Sequence, residues 1–266
     1  MSKQGNCGVE QQRWENLCFH LQLLELRPEW HKMMVGRLGG YIKNDWATTL
    51  PFSSHENMFP SKSAIYIKAE SILGLFIKEW VNINIMFSFT SYFYKESEAK
   101  KRNRCAFLNV NAITGDMCQR NPKAVTDHIL SLATHHIDKD FILAPYLANK
   151  HWSLFIIAQH IRHVYILDST KIKCKKNALD YRLSSLIPTA LGYQFDYTMV
   201  DCKQQKGRWE CGYMVLQYMF DFVNLYQKQF PDKTWHDTRE ATDNNIDTLL
   251  RKLMPKIFTE LGISLV

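Results

Sequence analysis

Four residues of this sequence have types and an order that can perform acyl chemistry: His151, Asp168, Gln205 and Cys211. Cys211 lies in the stretch Gln204 to Val215, Q-Q-K-G-R-W-E-C-G-Y-M-V, where a polar, turn-forming segment around Gly207 gives way to an apolar one. Met214, Val215, Tyr218, Met219 and Phe222 recur at helical spacing, which predicts a helix that Cys211 opens and that runs to about Tyr226. Unpaired N–H groups and the dipole at a helix N-terminus favour the thiolate, the nucleophilic form of cysteine. Gln205 carries an amide able to donate to a developing oxyanion, and Gly212 offers a small residue where a substrate backbone can come close. The competing reading of Cys211 is an inert core thiol, since free cysteine is among the most buried residue types.

A thiolate nucleophile needs an imidazole to manage its proton and a carboxylate to hold that imidazole in one tautomer. His151 begins a predicted strand, His151 to Ala158, and Asp168 ends the next, Val164 to Asp168. A tight polar turn near Gln159–Arg162 joins the two, so a hairpin can bring His151 and Asp168 together. Each also reads, on its own, as an ordinary strand-edge histidine or strand-ending turn residue. His128, His135 and His136 sit in or after a predicted helix and lack this flanking pattern.

The elements around these residues follow from apolar periodicity and breakers. Phe141 to Tyr146 and Tyr193 to Met199 read as further strands, and Cys105 to Asn109 as a short apolar piece. Trp80 to Tyr94 alternates like a strand but also satisfies helical spacing, and its length favours a helix. Lys123 to His135 reads as a helix with Pro122 near its start. A basic helix spans Lys175 to Leu186 before Pro188, and a closing helix, Asn245 to Leu261, contains a break at Pro255. Trp14 to Leu26 suggests an amphipathic helix that Pro28 ends. Gly36 to Ser63, punctuated by Gly36, Gly39, Gly40, Pro51 and Pro60, reads as mostly loop. Helices at both ends of a central run of strands predict an α+β class, with residues 1–60 as an N-terminal extension and 61–266 as the main domain.

Composition bounds the rest. The 266 residues are 46% hydrophobic and 22% charged, enough apolar material for a substantial core. The formal net charge of +7 permits an acidic partner but does not argue for nucleic acid. Basic clusters at Lys100, Lys101, Arg102 and Arg104, and at Lys171, Lys173, Lys175 and Lys176, read as solvated loops. The seven cysteines form no C-x-x-C pair and no zinc-like spacing with histidine, so no metal and no disulfide framework are expected. That points to a reducing compartment, nucleus or cytoplasm. The first residues lack the apolar core of a signal peptide, and Trp80 to Tyr94 is too short to span a bilayer.

The order His151-Trp152, then Leu167-Asp168-Ser169, then Gln205-Lys206-Gly207-Arg208-Trp209-Glu210-Cys211-Gly212 resembles the Ulp1-type cysteine proteases that process SUMO and related ubiquitin-like proteins. Trp80-Val81-Asn82 is similar to the family's W-L-N-D. Phe107-Leu108-Asn109 and Pro145-Tyr146 resemble plant, often transposon-associated, members. The resemblance covers roughly residues 75–250. It implies a papain-like α+β fold with a mostly antiparallel sheet flanked by helices, and a His151–Asp168–Cys211 triad with Gln205 in the oxyanion hole. It also implies Trp152 and Trp80 over a narrow channel for a substrate's C-terminal Gly-Gly, a ubiquitin-like partner (SUMO or a relative), no cofactor, and action as a monomer. The position of the family's partner-contacting Asp is Ile83 here, and Lys206, Arg208 and Trp209 make an unusually bulky, basic approach to Cys211. Two other readings are open: a non-catalytic binding or structural remnant of a mobile element, and acyl transfer by the same plan, whose practitioners typically carry Glu where this chain has Asp168.

Overall fold

The computed structural model describes residues 28–45, 49–100, 103–170 and 181–264. The expected helix at Trp14 to Leu26 and most of the expected basic helix, with its lysine cluster, lie outside them. The centre is a five-stranded sheet in the order β3–β4–β5–β6–β7: Cys105–Phe107, Phe141–Ala148, His151–Ala158, His163–Leu167 and Asp196–Met199. The two inner pairings, β4–β5 and β5–β6, are antiparallel, and the outer ones, β3–β4 and β6–β7, are parallel. Nearly every residue of β4 and β5 is buried, on both faces, so these strands read as continuous apolar runs and not as alternation.

Two hairpin connections place the chemistry. Asn149 and Lys150 both adopt positive φ, 50° and 62°, the twist a two-residue turn needs to reverse β4 directly into β5. His151 is thereby set at the first position of β5, paired with Ala148. After β5, a 3-10 turn over Gln159–Ile161 and Arg162 in the left-handed region lead into β6. Leu167 pairs with Leu154, so Asp168 follows the end of β6 beside the first residues of β5.

The helices are α1 Glu29–Asp45, α2 Ala69–Phe76, α3 Ile83–Glu98, α4 Gly115–Arg120, α5 Pro122–His135, α6 Arg182–Leu191, α7 Cys211–Asp221 and α8 Asp243–Glu260. The ambiguous Trp80 to Tyr94 stretch is the buried helix α3, capped by Asn82, whose side chain accepts the Asn84 N–H. Helix α7 lies across β5, and its apolar stripe is buried through Met214, Val215, Tyr218 and Met219. A π-turn, Phe222–Tyr226, completes the stretch expected to be helical up to Tyr226.

Three expectations differ from the structure. Gly36 to Ser63 is not mostly loop: it holds the second half of α1 and strand β1, Thr49–Ser53, which pairs antiparallel with β2, Ala64–Lys68. Three glycines weaken helix propensity locally by about 1 kcal/mol each, yet Met34, Val35 and Leu38 are buried and His31 packs edge-on to Phe76. Tertiary burial overrides the local signal. The β1–β2 pairing also carries packed structure across residue 60. Pro188 does not end a helix but lies inside α6, where its missing N–H leaves the Ser184 carbonyl to be met by the Tyr197 hydroxyl at 2.6 Å. Pro255 likewise lies inside α8 without ending it.

Candidate active site

Cys211 is the first residue of α7 and has no exposed surface. The loop before it is held by Glu210, whose carboxylate accepts the Gly207 N–H at 2.9 and 3.0 Å, while the Glu210 carbonyl accepts the Met214 N–H and starts the helical ladder. Cys211 thus stands at the positive end of the α7 dipole, where the first-turn N–H groups have no helical acceptor.

His151 Nε2 donates to Asp168 Oδ1 at 2.9 Å, which leaves Nδ1 as the nitrogen for its hydrogen bond to Cys211. Burial pushes the His151 pKa down, but the hydrogen bonds to Asp168 and Cys211 and their charges outweigh it and raise it from 6.5 to about 9. Asp168 is raised by burial and lowered more strongly by the His151 and Thr170 hydrogen bonds and the His151 charge, so it stays a carboxylate. The imidazole therefore holds its proton near neutral pH, between the Asp168 carboxylate and the Cys211 sulfur.

That arrangement sets a pH dependence. Because the folded pKa of His151 lies above its ordinary value, its contribution to stability is complete below pH 6.5 and is lost as pH rises through about 9. At about 1.36 kcal/mol per pH unit this amounts to about 3 kcal/mol for a side chain only 19% exposed. The kcat/KM profile on a modifier substrate is expected to fall on its basic side with a midpoint near 9. A basic limb near 6.5 would show that Asp168 and Cys211 do not hold the proton on His151.

Two residues not singled out from the sequence complete the carboxylate's surroundings. Thr170 donates its N–H at 2.8 Å and its hydroxyl at 2.6 Å to Asp168 Oδ1, and the Tyr181 hydroxyl donates to Oδ2 at 2.9 Å. The Tyr181 ring is fixed edge-on to Phe155 of β5 at 5.9 Å. Tyr181 carries no local signature, because its role depends on α6 returning to the end of β6. Thr170 was within reach of sequence reasoning, since an Asp two residues earlier often accepts the backbone N–H of such a turn.

Gln205 is anchored by its backbone N–H on the Ser169 carbonyl and by the Ser169 hydroxyl donating to its Oε1 at 2.7 Å. Its Nε2 donates to the Gly207 carbonyl at 2.8 Å, which engages one of the two N–H groups of the amide expected to donate to an oxyanion. Gln204 is used differently: its Nε2 donates to the carbonyls of Cys202 and Asp168, and its backbone pairs with Arg239 and Ala241. Gln205→Ala is expected to lower kcat by roughly 10²- to 10³-fold, the scale of one lost oxyanion donor. Gln204→Ala is expected to lower stability instead, and a larger kcat loss from it than from Gln205→Ala would reverse the assignment.

The remaining expected residues separate. Trp152 is almost completely buried and donates its indole N–H to the Val81 carbonyl at 3.0 Å, whereas Trp80 is 46% exposed. At Gly212 the close neighbour is the protein itself. A Cβ there would lie 2.5 Å from Val81 Cβ and 3.2 Å from Trp152 Cδ1, so the glycine lets the Val81 segment pack against the catalytic helix. The described residues contain no cluster able to hold a metal ion and no helix long and apolar enough to cross a membrane.

A buried thiol at a helix start, hydrogen-bonded to a carboxylate-bound imidazole on the neighbouring strands, is the arrangement of a thiol hydrolase, and the fold around it is papain-like. Residues 79–262 match the Ulp1 protease family, C-terminal catalytic domain, so the chain belongs to that family of cysteine proteases. Among solved structures, the chain is similar to the SUMO protease Ulp1 with its catalytic cysteine oxidised to a sulfenic acid. The TM-score is 0.59 at 17% identity over 90% of this chain and 98% of the other. It is also similar to the C-terminal Ulp1 protease domain in complex with Smt3, the yeast ortholog of SUMO, with a TM-score of 0.57 at 18% identity over 90% and 98% of the two chains. A de-sumoylating protease aligns with a TM-score of 0.53 at 19% identity over 82% and 92%. No curated protein matches the sequence significantly.

Proposed function

We propose that this protein hydrolyses the peptide or isopeptide bond after the C-terminal Gly-Gly of a ubiquitin-like protein, SUMO or a relative. The observation that carries the reading is the hydrogen-bonded series Asp168–His151–Cys211 at the start of α7, with Gln205 held by Ser169 beside it. The Cys211 thiolate attacks the scissile carbonyl carbon, and the Cys211 N–H and the Gln205 amide hold the resulting oxyanion. His151 gives its proton to the leaving amine as the C–N bond breaks, leaving a thioester. Water then attacks that thioester, with His151 taking its proton, and the modifier is released with a free carboxylate. No step calls for a cofactor. The four described cysteines are all buried and none is in a disulfide, which supports action in a reducing compartment, nucleus or cytoplasm.

The preference for Gly-Gly rests on the family's pair of tryptophans, here Trp80, half-exposed, and Trp152, which is buried beside Cys211 and joined to the segment after Trp80 through the Val81 carbonyl. Two indoles facing each other across a substrate backbone admit one without Cβ atoms and exclude water from the scissile bond. Matched fusions ending in Gly-Gly, Ala-Gly and Gly-Ala before the scissile bond test it. The Gly-Gly fusion is expected to be cleaved at least about 10²-fold faster than either other, as one Cβ clash in a closed channel costs several kcal/mol. Equal rates on all three would remove the channel from the reading. Trp80→Ala is the informative variant, because Trp152 is so buried that truncating it costs about 3–5 kcal/mol of stability.

A further inference from the structure

The loop between Gln205 and Cys211 carries two cations that the catalytic chemistry does not use. Lys206 and Arg208 are exposed, and among the described residues neither has an ion-pair or hydrogen-bond partner. Their neighbours are differently placed. Lys203 is bound to Asp237 at 3.2 Å. Lys78, only 6% exposed, is bound to Asp243 at 2.9 Å and Asp247 at 3.3 Å. The Glu210 carboxylate is held by the Gly207 N–H. Asp237, Asp243, Asp247 and Glu210 are thus each engaged, whereas Lys206 and Arg208 have no partner among the described residues.

Lys206 lines an open groove of about 520 Å³, and Arg208 lies outside its lining, two residues further along the same loop. The groove's walls are Ile77 and Lys78 on one side and Lys206, Gly207, Trp209 and Glu210 on the other, with Asp243 at its edge. The loop wall is rigid. Gly207 is tied both to Glu210 and to the Gln205 amide, and the Trp209 ring sits edge-on to Tyr213 of α7 at 5.4 Å. A cation on a rigid loop loses little conformational entropy on meeting an anion, and the N-terminal dipole of α7 points the same way. Glu210, a wall residue of the groove, directly precedes Cys211, so the groove lies one residue along the chain from the thiol.

We propose that this groove, with the loop that borders it, is an acidic-residue subsite, in which Lys206 and Arg208 receive Asp or Glu side chains of the polypeptide flanking the scissile bond. The proposal rests on the protease reading above but selects among its substrates: those with an acidic residue within a few positions of the bond are preferred.

The test uses the full chain and fusions differing only in flanking residues, with Glu-Glu, Gln-Gln or Lys-Lys placed either just before or just after the Gly-Gly segment. At low salt the Glu-Glu fusion on one side is expected to exceed its Lys-Lys counterpart in kcat/KM by about 2- to 30-fold, the range that two exposed ion pairs supply. The difference is expected to shrink in 1 M salt, where screening reaches about 3 Å. The double variant Lys206→Glu/Arg208→Glu is expected to reverse the order. Indifference to flanking charge on both sides, or an order the double variant leaves unchanged, would overturn the proposal. Fluorescence anisotropy of the same flanking peptides on Cys211→Ala protein gives a second readout without turnover. If no fusion is cleaved yet Glu-Glu peptides bind more tightly than Lys-Lys ones, the subsite stands and the protease reading falls; equal binding there overturns the subsite as well.

Discussion

Cys211→Ser is expected to abolish hydrolysis of a Gly-Gly modifier fusion while leaving the fold as it is. The loss is expected on the order of 10⁶ in kcat, the scale seen when the nucleophile of a catalytic triad is removed. The physical reason is the proton. A thiol at a helix N-terminus beside an imidazolium is readily ionised, whereas a serine hydroxyl in the same place is not, and His151 already holds its proton at neutral pH with a pKa of about 9. With no thiolate opposite, the His151 pKa is expected to drop, which an NMR titration of the imidazole reads directly. The fold is expected to survive because serine is nearly isosteric and is well suited to a helix start. The packing of α7 rests on Met214, Val215, Tyr218 and Met219, which the change does not touch. Circular dichroism and Tm are the controls. A folded variant with wild-type turnover, or a wild type whose Cys211 ignores a thiol-reactive ubiquitin-like probe, would end the assignment of the nucleophile.

Asp168→Asn is expected to cost several powers of ten in kcat, toward the roughly 10⁴-fold reported for the corresponding change in a serine-protease triad, with little change in KM. Here the surroundings of Asp168 allow that loss to be interpreted. Three donors, His151 Nε2 and the N–H and hydroxyl of Thr170, converge on Oδ1, and among the described residues only the Tyr181 hydroxyl meets Oδ2. An asparagine places its carbonyl oxygen at the three-donor position and its NH₂ toward Tyr181, whose hydroxyl can turn to accept. The imidazole then keeps its orientation and loses the charge that supports its proton. The basic limb of kcat/KM is accordingly expected to move down from about 9. An unchanged rate would show that another group orients His151, and an unchanged limb with a lowered rate would show that geometry, not charge, was lost.

Much of the chemistry was legible before any coordinates. The order of His151, Asp168, Gln205 and Cys211, the strands β4, β5 and β6 and the helix opened by Cys211 all rest on short-range signals: apolar runs, a tight polar turn near Gln159–Arg162, and a loop-to-helix change in composition. The structure brings His151 and Asp168 into hydrogen-bond contact across the β5–β6 hairpin, and Gln205 to Ser169 beside them. Such contacts follow from local rules, because strand pairing through short connections leaves few alternatives for the register.

What the sequence left open depended on distant partners. Helix α1 forms despite Gly36, Gly39 and Gly40 because Met34, Val35 and Leu38 are buried, and Pro188 is tolerated inside α6 because Tyr197 from β7 satisfies the Ser184 carbonyl. Gly212 was legible as a place of close approach, but not as one filled by Val81. Tyr181 reaches Asp168 only once α6 has returned to the sheet. The sequence by itself determined which groups could react and which local elements would carry them, since those depend on side-chain chemistry and near-neighbour periodicity. The tertiary structure alone decided which carbonyl, hydroxyl and methyl groups close around them, because long-range packing sets burial, and burial sets how strongly each charge and hydrogen bond acts.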